Sequence, residues 1–177
     1  MVNRSHNRIS SIKKEDGQLL QSHEDIEAVL FQHFREIAHE STPEREHHIK
    51  DLIKHIPKLV SREDNYNLNR PVTEEEVNEI LKDMQYGKAP SPDGFNVDFF
   101  KACWNIVKED ILNVVEDSRI NRTILRALNT SFISLIPKQE TIETPDRYRP
   151  IALCNVVYKI IYKVVANRLK PLLPSLI

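Results

Sequence analysis

Residues 132–155 read FISLIPKQETIETPDRYRPIALCN, and this stretch decides the fold. Two apolar runs, about 131–136 and 148–153, flank a polar connection, which is typical of two antiparallel strands. Three cations lie at the inner ends of these runs, namely Lys138, Arg147 and Arg149. If the strands pair antiparallel, Lys138 and Arg149 come close, and two such like charges are tolerated only in water or around an anion. Arginine and lysine both bind phosphate oxygens, so a triphosphate is one candidate ligand. A connecting loop whose ends carry exposed charges and bind no ligand fits the same pattern.

The second strand has two features that limit its position in a sheet. Arg147 and Arg149 are two residues apart, so their guanidinium groups are expected on the same face of the strand. Pro150 has no N–H to donate to a neighbouring strand, which favours an edge or a bulge. A two-stranded ribbon is marginally stable without further packing.

Outward from these strands the sequence is mainly helical. Asp16-Gly17 lies between alternating apolar and polar residues, which predicts a β-hairpin. Thr73 with Glu76 predicts a capping box at a helix start, and residues 61–71 are interpreted as an exposed polar connection. The apolar spacing predicts helices over residues 23–39, 44–56, 73–86, 96–106, 108–127 and 155–170. The predicted fold class is therefore α+β, mostly helical with a short antiparallel strand pair.

The composition is that of an ordinary folded domain. The chain has 177 residues, of which 40% are hydrophobic and 29% are charged. No apolar run approaches the roughly 20 residues of a membrane span, and the amino terminus has no secretory signal. Cys103 and Cys154 form no CxxC pair, so an intracellular location without membrane contact is predicted.

Charge is distributed unevenly along the chain. Residues 117–177 contain 10 Lys and Arg but 4 Asp and Glu, whereas the whole chain has a net charge of −1. This asymmetry favours a nucleic-acid contact in the last third, although an uneven solvated surface has the same composition. Lys159, Lys163 and Arg168 lie on the last predicted helix, where phosphate contact and simple solvation are both open.

The chain contains two other candidate sites, a proline-rich loop and a set of histidines. YGKAPSPDGF, residues 86–95, has no GxxxxGK[ST] pattern and is not a P-loop. Its prolines make a rigid loop that presents Lys88, either for recognition or as a helix connector. The seven histidines include no HExxH motif, and no two acids are placed for a pair of magnesium ions. A metal site and a catalytic residue are therefore not predicted in this chain.

Three segments together resemble one family. They are GKAPSPDGFNVDFFKACW at 87–104, FISLIPK at 132–138 and DRYRPIALCNVVYKIIYKVVANRL at 146–169. Their order and spacing resemble the reverse transcriptase of non-LTR (LINE-type) retrotransposons, most closely the plant ones. Residues 1–70 resemble the connector between the endonuclease and polymerase regions. Residues 71–177 resemble the N-terminal extension and the partial fingers of a right-hand polymerase, with the palm and thumb absent.

The resemblance implies roles for particular residues. Lys138 and Arg149 are expected to bind the triphosphate of the incoming deoxynucleoside triphosphate. The cations expected at the phosphates of the RNA template and the DNA primer are Lys88, Arg147, Lys159, Lys163 and Arg168. Mg²⁺ is expected for the intact polymerase, whose metal-holding acids lie in FxxDxxxAFD-like and YxDD segments. Neither segment occurs in this sequence, so the chain alone is expected to be inactive. A nuclear or cytoplasmic location is implied.

One residue departs from the family pattern, and two other functions stay open. Ser91 stands where the family usually has glycine, and a serine does not easily take a positive φ. The alternatives are a catalytically dead nucleic-acid-binding module and a helical interaction protein that associates through exposed apolar surface.

Overall fold

The computed structural model describes residues 9–14, 16–39, 45–55, 58–138 and 144–176, without the side chains of 45–48. The described residues are mostly helical, with two short antiparallel strand pairs, which confirms the predicted α+β class. Among them, no helix is both long and apolar enough to cross a membrane. A 3₁₀ turn spans Pro145–Arg147. The other elements are β1 Ile12–Lys13, β2 Leu19–Leu20, α1 His23–Ala38, α2 Arg45–His55, α3 Arg62–Asn69, α4 Glu74–Asp83, α5 Val97–Ala102, α6 Trp104–Asn121, β3 Ser131–Pro137, β4 Tyr148–Cys154, α7 Val156–Leu169 and α8 Leu173–Leu176.

The chain divides into two compact units. The first contains the described residues within Met1–His55 and Ile133–Ala152. Its β1–β2 hairpin pairs Ile12 with Leu20 and turns through Gly17 at a φ of 87°, which confirms the hairpin prediction. The buried core of this unit consists of Ile12, Leu20, Ile26, Leu30 and Tyr148.

The second unit contains the described residues within Ile56–Phe132 and Leu153–Ile177. Its core forms where α7 packs against α4 and α6, and α3 contacts α7 outside this core. The apolar stripe of α4, predicted from its spacing, supplies Val77, Ile80 and Leu81, and α7 supplies Ile160 at 0% exposure. The helix α7 therefore runs through the centre of this unit and positions every side chain on its outer surface.

Two local predictions in the second unit are wrong. Residues 61–71 are not a polar connection throughout, because Ser61 and Asp64 form a capping box that starts α3. The predicted helices 96–106 and 108–127 instead break at Cys103, and α6 ends at Asn121. Arg122 follows with a φ of 56°, the left-handed conformation that commonly terminates a helix.

Candidate nucleotide and nucleic-acid interface

The β3–β4 pair of the first unit holds two of the predicted cations on one face. The backbone N–H of Lys138 donates to the carbonyl of Arg147 at 2.9 Å, so these residues are opposite each other. Tyr148 points into the core at 4% exposure, and side chains alternate along a strand, so Arg149 points outward. The same alternation puts Lys138 on the outward face, diagonally across from Arg149.

Arg147 differs from its predicted position in the second strand. It closes the 3₁₀ turn Pro145–Arg147, and its backbone N–H donates to the carbonyl of Thr144 at 3.1 Å. Its Nε lies 3.4 Å from a carboxylate oxygen of Asp146, in an exposed ion pair. Arg147 is thus partly neutralised, because a proline-initiated turn places it beside an acid.

Asp146 is the site residue that the sequence reasoning missed. Its carbonyl oxygen accepts a hydrogen bond from Lys138 Nζ at 2.6 Å. A hydrogen bond from the Thr144 hydroxyl holds the pKa of the Asp146 carboxyl below its ordinary value, and the charges of Arg147 and Lys138 act in the same direction. Asp146 directly precedes Arg147 in the sequence, and this adjacency could have indicated an ion pair between them. Lys138 and Arg147 therefore both contact Asp146, whereas Arg149 makes no hydrogen bond or ion pair with the described residues.

The loop that carries Lys88 belongs to the second unit and is fixed at its start. The backbone N–H of Gly87, at a φ of 67°, donates to the carboxylate of Asp98 at 3.2 Å. Lys101 Nζ donates to the carbonyl of Met84 at 2.7 Å and lies 3.9 Å from the ring centroid of Tyr86. Lys88 follows directly and is exposed.

Ser91 fixes the other side of this loop. Its hydroxyl donates to the carbonyl of Cys154 at 3.0 Å, and the residue is 5% exposed. Ser91 does not need a positive φ, because Arg122 is the only non-glycine residue with one in the described ranges. Gly94 takes that conformation instead, at a φ of 83°. The serine is therefore compatible with the loop and ties it to Cys154 of the same unit.

Replacing Ser91 by alanine is expected to destabilise the second unit by about 1 kcal/mol, because a buried hydrogen bond is lost. Ser175→Ala is the matched control, since that hydroxyl donates to the carbonyl of Leu172 at 2.8 Å but is exposed. Urea unfolding followed by the fluorescence of Trp104 measures both variants. Equal stabilities would show that the Ser91 bond does not anchor the loop.

The helix α7 carries the remaining predicted cations, and they fall into two groups. Lys159 and Lys163 are half-buried, and their amino groups have no partner among the described residues. Arg168 has a side chain that is 7% exposed and lies 2.7 Å from a Glu76 carboxylate oxygen. The first two are available to a phosphate, whereas Arg168 is already bound within the protein.

All five N–H donors of Arg168 are used. Nε and Nη2 donate to the two oxygens of Glu76 at 2.8 and 2.7 Å. Nη1 donates to the carbonyls of Leu68 and Arg70 at 3.1 and 2.7 Å, and Nη2 also donates to that of Pro71 at 3.2 Å. The assignment of Arg168 to template or primer phosphates stays a prediction, and in this structure all of its donors are bound within the protein.

Magnesium has no ligand set in the part of the chain that is described. Within it, no group of three or more His, Cys, Asp or Glu side chains is arranged to hold a metal ion. The residues described therefore do not form a site for the ion that the intact polymerase is expected to use.

Comparison with known proteins relates this chain to products of transposable elements. No family model matches the sequence. The chain is 28% identical over 119 residues to the Transposon TX1 uncharacterized 149 kDa protein of Xenopus laevis. The match covers 67% of this chain and 9% of that protein, so the chain spans a small part of the length of its relative. The distant homology supports the relation to a transposon-encoded protein.

Proposed function

We propose that this chain is part of the reverse transcriptase of a non-LTR retrotransposon, namely nucleotide- and template-binding fingers without the catalytic acids. The observation that carries the proposal is the shared outward face of Lys138 and Arg149 at the end of the β3–β4 pair. The relation to a transposon-encoded protein supports it. The chemistry follows from charge, since a triphosphate needs cations held together without equivalent acids.

The three cations at this strand end are expected to contribute unequally. The guanidinium of Arg149 makes no hydrogen bond with the described residues, so all of its N–H donors remain for a ligand. Its planar shape suits two phosphate oxygens. Lys138 keeps two of its three donors after its bond to the Asp146 carbonyl. Arg147 is paired with the Asp146 carboxylate and is assigned a smaller share. Lys88, Lys159 and Lys163 are proposed to contact template or primer phosphates without reading sequence.

Charge reversal tests the nucleotide site directly. Lys138→Glu and Arg149→Glu are each expected to weaken binding of deoxyadenosine triphosphate about tenfold or more, because a charge-assisted hydrogen bond is replaced by repulsion. Asp146→Asn is expected to strengthen binding, since it removes the one acid of the cluster. Equilibrium dialysis with radiolabelled nucleotide measures the dissociation constants.

Lys58→Glu serves as the control, because Lys58 is exposed and belongs to the second unit. It makes the same charge change away from the strand end and is expected to leave the affinity unchanged. If all of these variants bind the nucleotide as the unaltered chain does, Lys138 and Arg149 have no part in triphosphate binding.

A further inference from the structure

The outer surface of α7 combines tyrosines with cations and has no acid. The helix sequence VVYKIIYKVVANRL contains no Asp or Glu. Its buried side is formed by Val156, Val157, Ile160, Ile161 and Val164. At 100° per residue, Tyr158 and Tyr162 lie away from this core, and Lys159 and Lys163 lie along one flank between them and the buried side; we call these four residues the α7 strip.

The exposures within the strip single out Tyr162. Its side chain is 66% exposed and makes no ring contact, hydrogen bond or cation contact with the described residues. Tyr158, one turn earlier, is half-buried. The exposed ring of Tyr162 therefore offers a flat apolar face beside two lysines that have no counter-ion among the described residues. A polyanion with flat apolar groups has the complementary chemistry.

We propose that the α7 strip binds single-stranded nucleic acid, with Tyr162 stacking on a base while Lys159 and Lys163 contact the flanking phosphates. This inference rests on the proposed function and adds the base-contacting residue and the strand state to it. Basic grooves with exposed aromatic side chains bind single strands because every base offers a flat face to stack on. A duplex hides those faces, so the ring has no comparable partner there.

The helical spacing allows Tyr162 to contact a base while the two lysines contact phosphates. Lys159 and Lys163 are four residues apart and lie on one side of Tyr162, about one helical turn from each other. Charge complementarity, rather than apolar area, selects the occupant: a second copy of this chain would bring the same cations and repel the first. Self-association through this surface is therefore an outcome that the test detects.

Fluorescence anisotropy with a labelled single-stranded RNA of about 20 nucleotides tests the proposal on the whole chain over a range of salt. Tyr162→Ala is expected to weaken binding about 5- to 150-fold, the effect of losing one base–aromatic stack, with an unchanged salt slope. Lys159→Gln and Lys163→Gln are each expected to reduce the salt slope by about 0.7. Tyr162→Phe is expected to bind as the unaltered chain does.

Tyr66→Ala is the matched control, because Tyr66 is 73% exposed but lies on α3 near the acids Glu63 and Asp64. It is expected to have no effect, and duplex RNA of equal length is expected to be insensitive to Tyr162→Ala. Trp104 fluorescence verifies that each variant is folded.

The outcomes separate this inference from the proposed function. If the lysine variants weaken binding and Tyr162→Ala does not, the chain contacts phosphates alone and the stacking inference is overturned while the proposed function stands. Equal effects of Tyr162→Ala on duplex and single strand, or loss of a dimer in place of loss of RNA binding, also overturn it. If the unaltered chain binds no RNA at low salt, both fail together.

Discussion

Arg168→Ala is expected to destabilise the second unit by about 3 kcal/mol, the lower end of the range for breaking a buried ion pair. The substitution leaves Glu76 with 11% of its side chain exposed and its main partner removed, and it frees three carbonyls at the end of α3. Arg70 lies 3.7 Å from Glu76 and compensates only in part. The loss is expected to fall on α3, which has no buried residue of its own.

Trp104 is the measuring probe, since it is the single tryptophan and packs against the core of the second unit. Urea unfolding followed by its fluorescence gives the free energy of unfolding for that unit. Arg126→Ala is the matched control: Arg126 is exposed, its side chain has no described partner, and its replacement is expected to cost less than about 0.5 kcal/mol. Similar losses for both variants would contradict a structural role of the Arg168 fork.

The pH dependence of the free energy of unfolding tests whether Glu76 is the partner through which Arg168 stabilises the unit. Burial acts to raise the pKa of the Glu76 carboxyl, but hydrogen bonds from Arg168 and its charge outweigh burial and hold that pKa below its ordinary value. A lowered pKa contributes stability above the ordinary Glu value of about 4.3, and this contribution disappears as the pH falls through the lowered value. The stability difference between Arg168→Ala and the unaltered chain is therefore expected to shrink in acid. A constant difference would assign the effect to the carbonyl contacts alone.

Local patterns predicted the elements where side-chain spacing and turn chemistry agreed. The hairpin at Gly17, the strands β3 and β4, and the helix α7 follow from alternation, helical periodicity and glycine conformation. The helix α3 was missed because its composition is polar and its apolar stripe is absent. The pair Ser61 and Asp64 nevertheless marks the start of this helix in the sequence. It forms a capping box in which aspartate takes the place of the usual glutamate.

The roles of individual cations were harder to predict than the elements. Lys138 and Arg149 share a face because strand alternation is a local rule. The environment of Arg168 depends on Glu76, 92 residues earlier in the chain, and on carbonyls near residue 70. Such partners are set by helix packing, which the spacing on one helix does not specify. Arg147 was misplaced for the opposite reason: a three-residue turn at Pro145 competes with strand continuation.

Ile160→Ala is expected to destabilise the second unit by about 2–5 kcal/mol, because the change removes a fully buried side chain and leaves a cavity. Ile160 is 0% exposed and lies in the same core as Val77 and Ile80 of α4. Its position also matters for function, since the buried side of α7 fixes the direction of the α7 strip. A repacked cavity gives the lower value and a rigid one the higher value.

Val165→Ala supplies the comparison on the same helix, because Val165 is 50% exposed and its replacement is expected to change stability by less than about 0.5 kcal/mol. Trp104 fluorescence in urea measures both free energies of unfolding. At a urea concentration that partly unfolds the Ile160→Ala variant, the RNA affinity of that variant should fall in proportion to its folded fraction. The Val165→Ala variant is expected to stay folded at the same concentration and to keep its RNA affinity. If Ile160→Ala lowers the free energy of unfolding by less than about 1 kcal/mol, α7 does not occupy the centre of this core. The outward direction of Tyr162 would then have no structural basis.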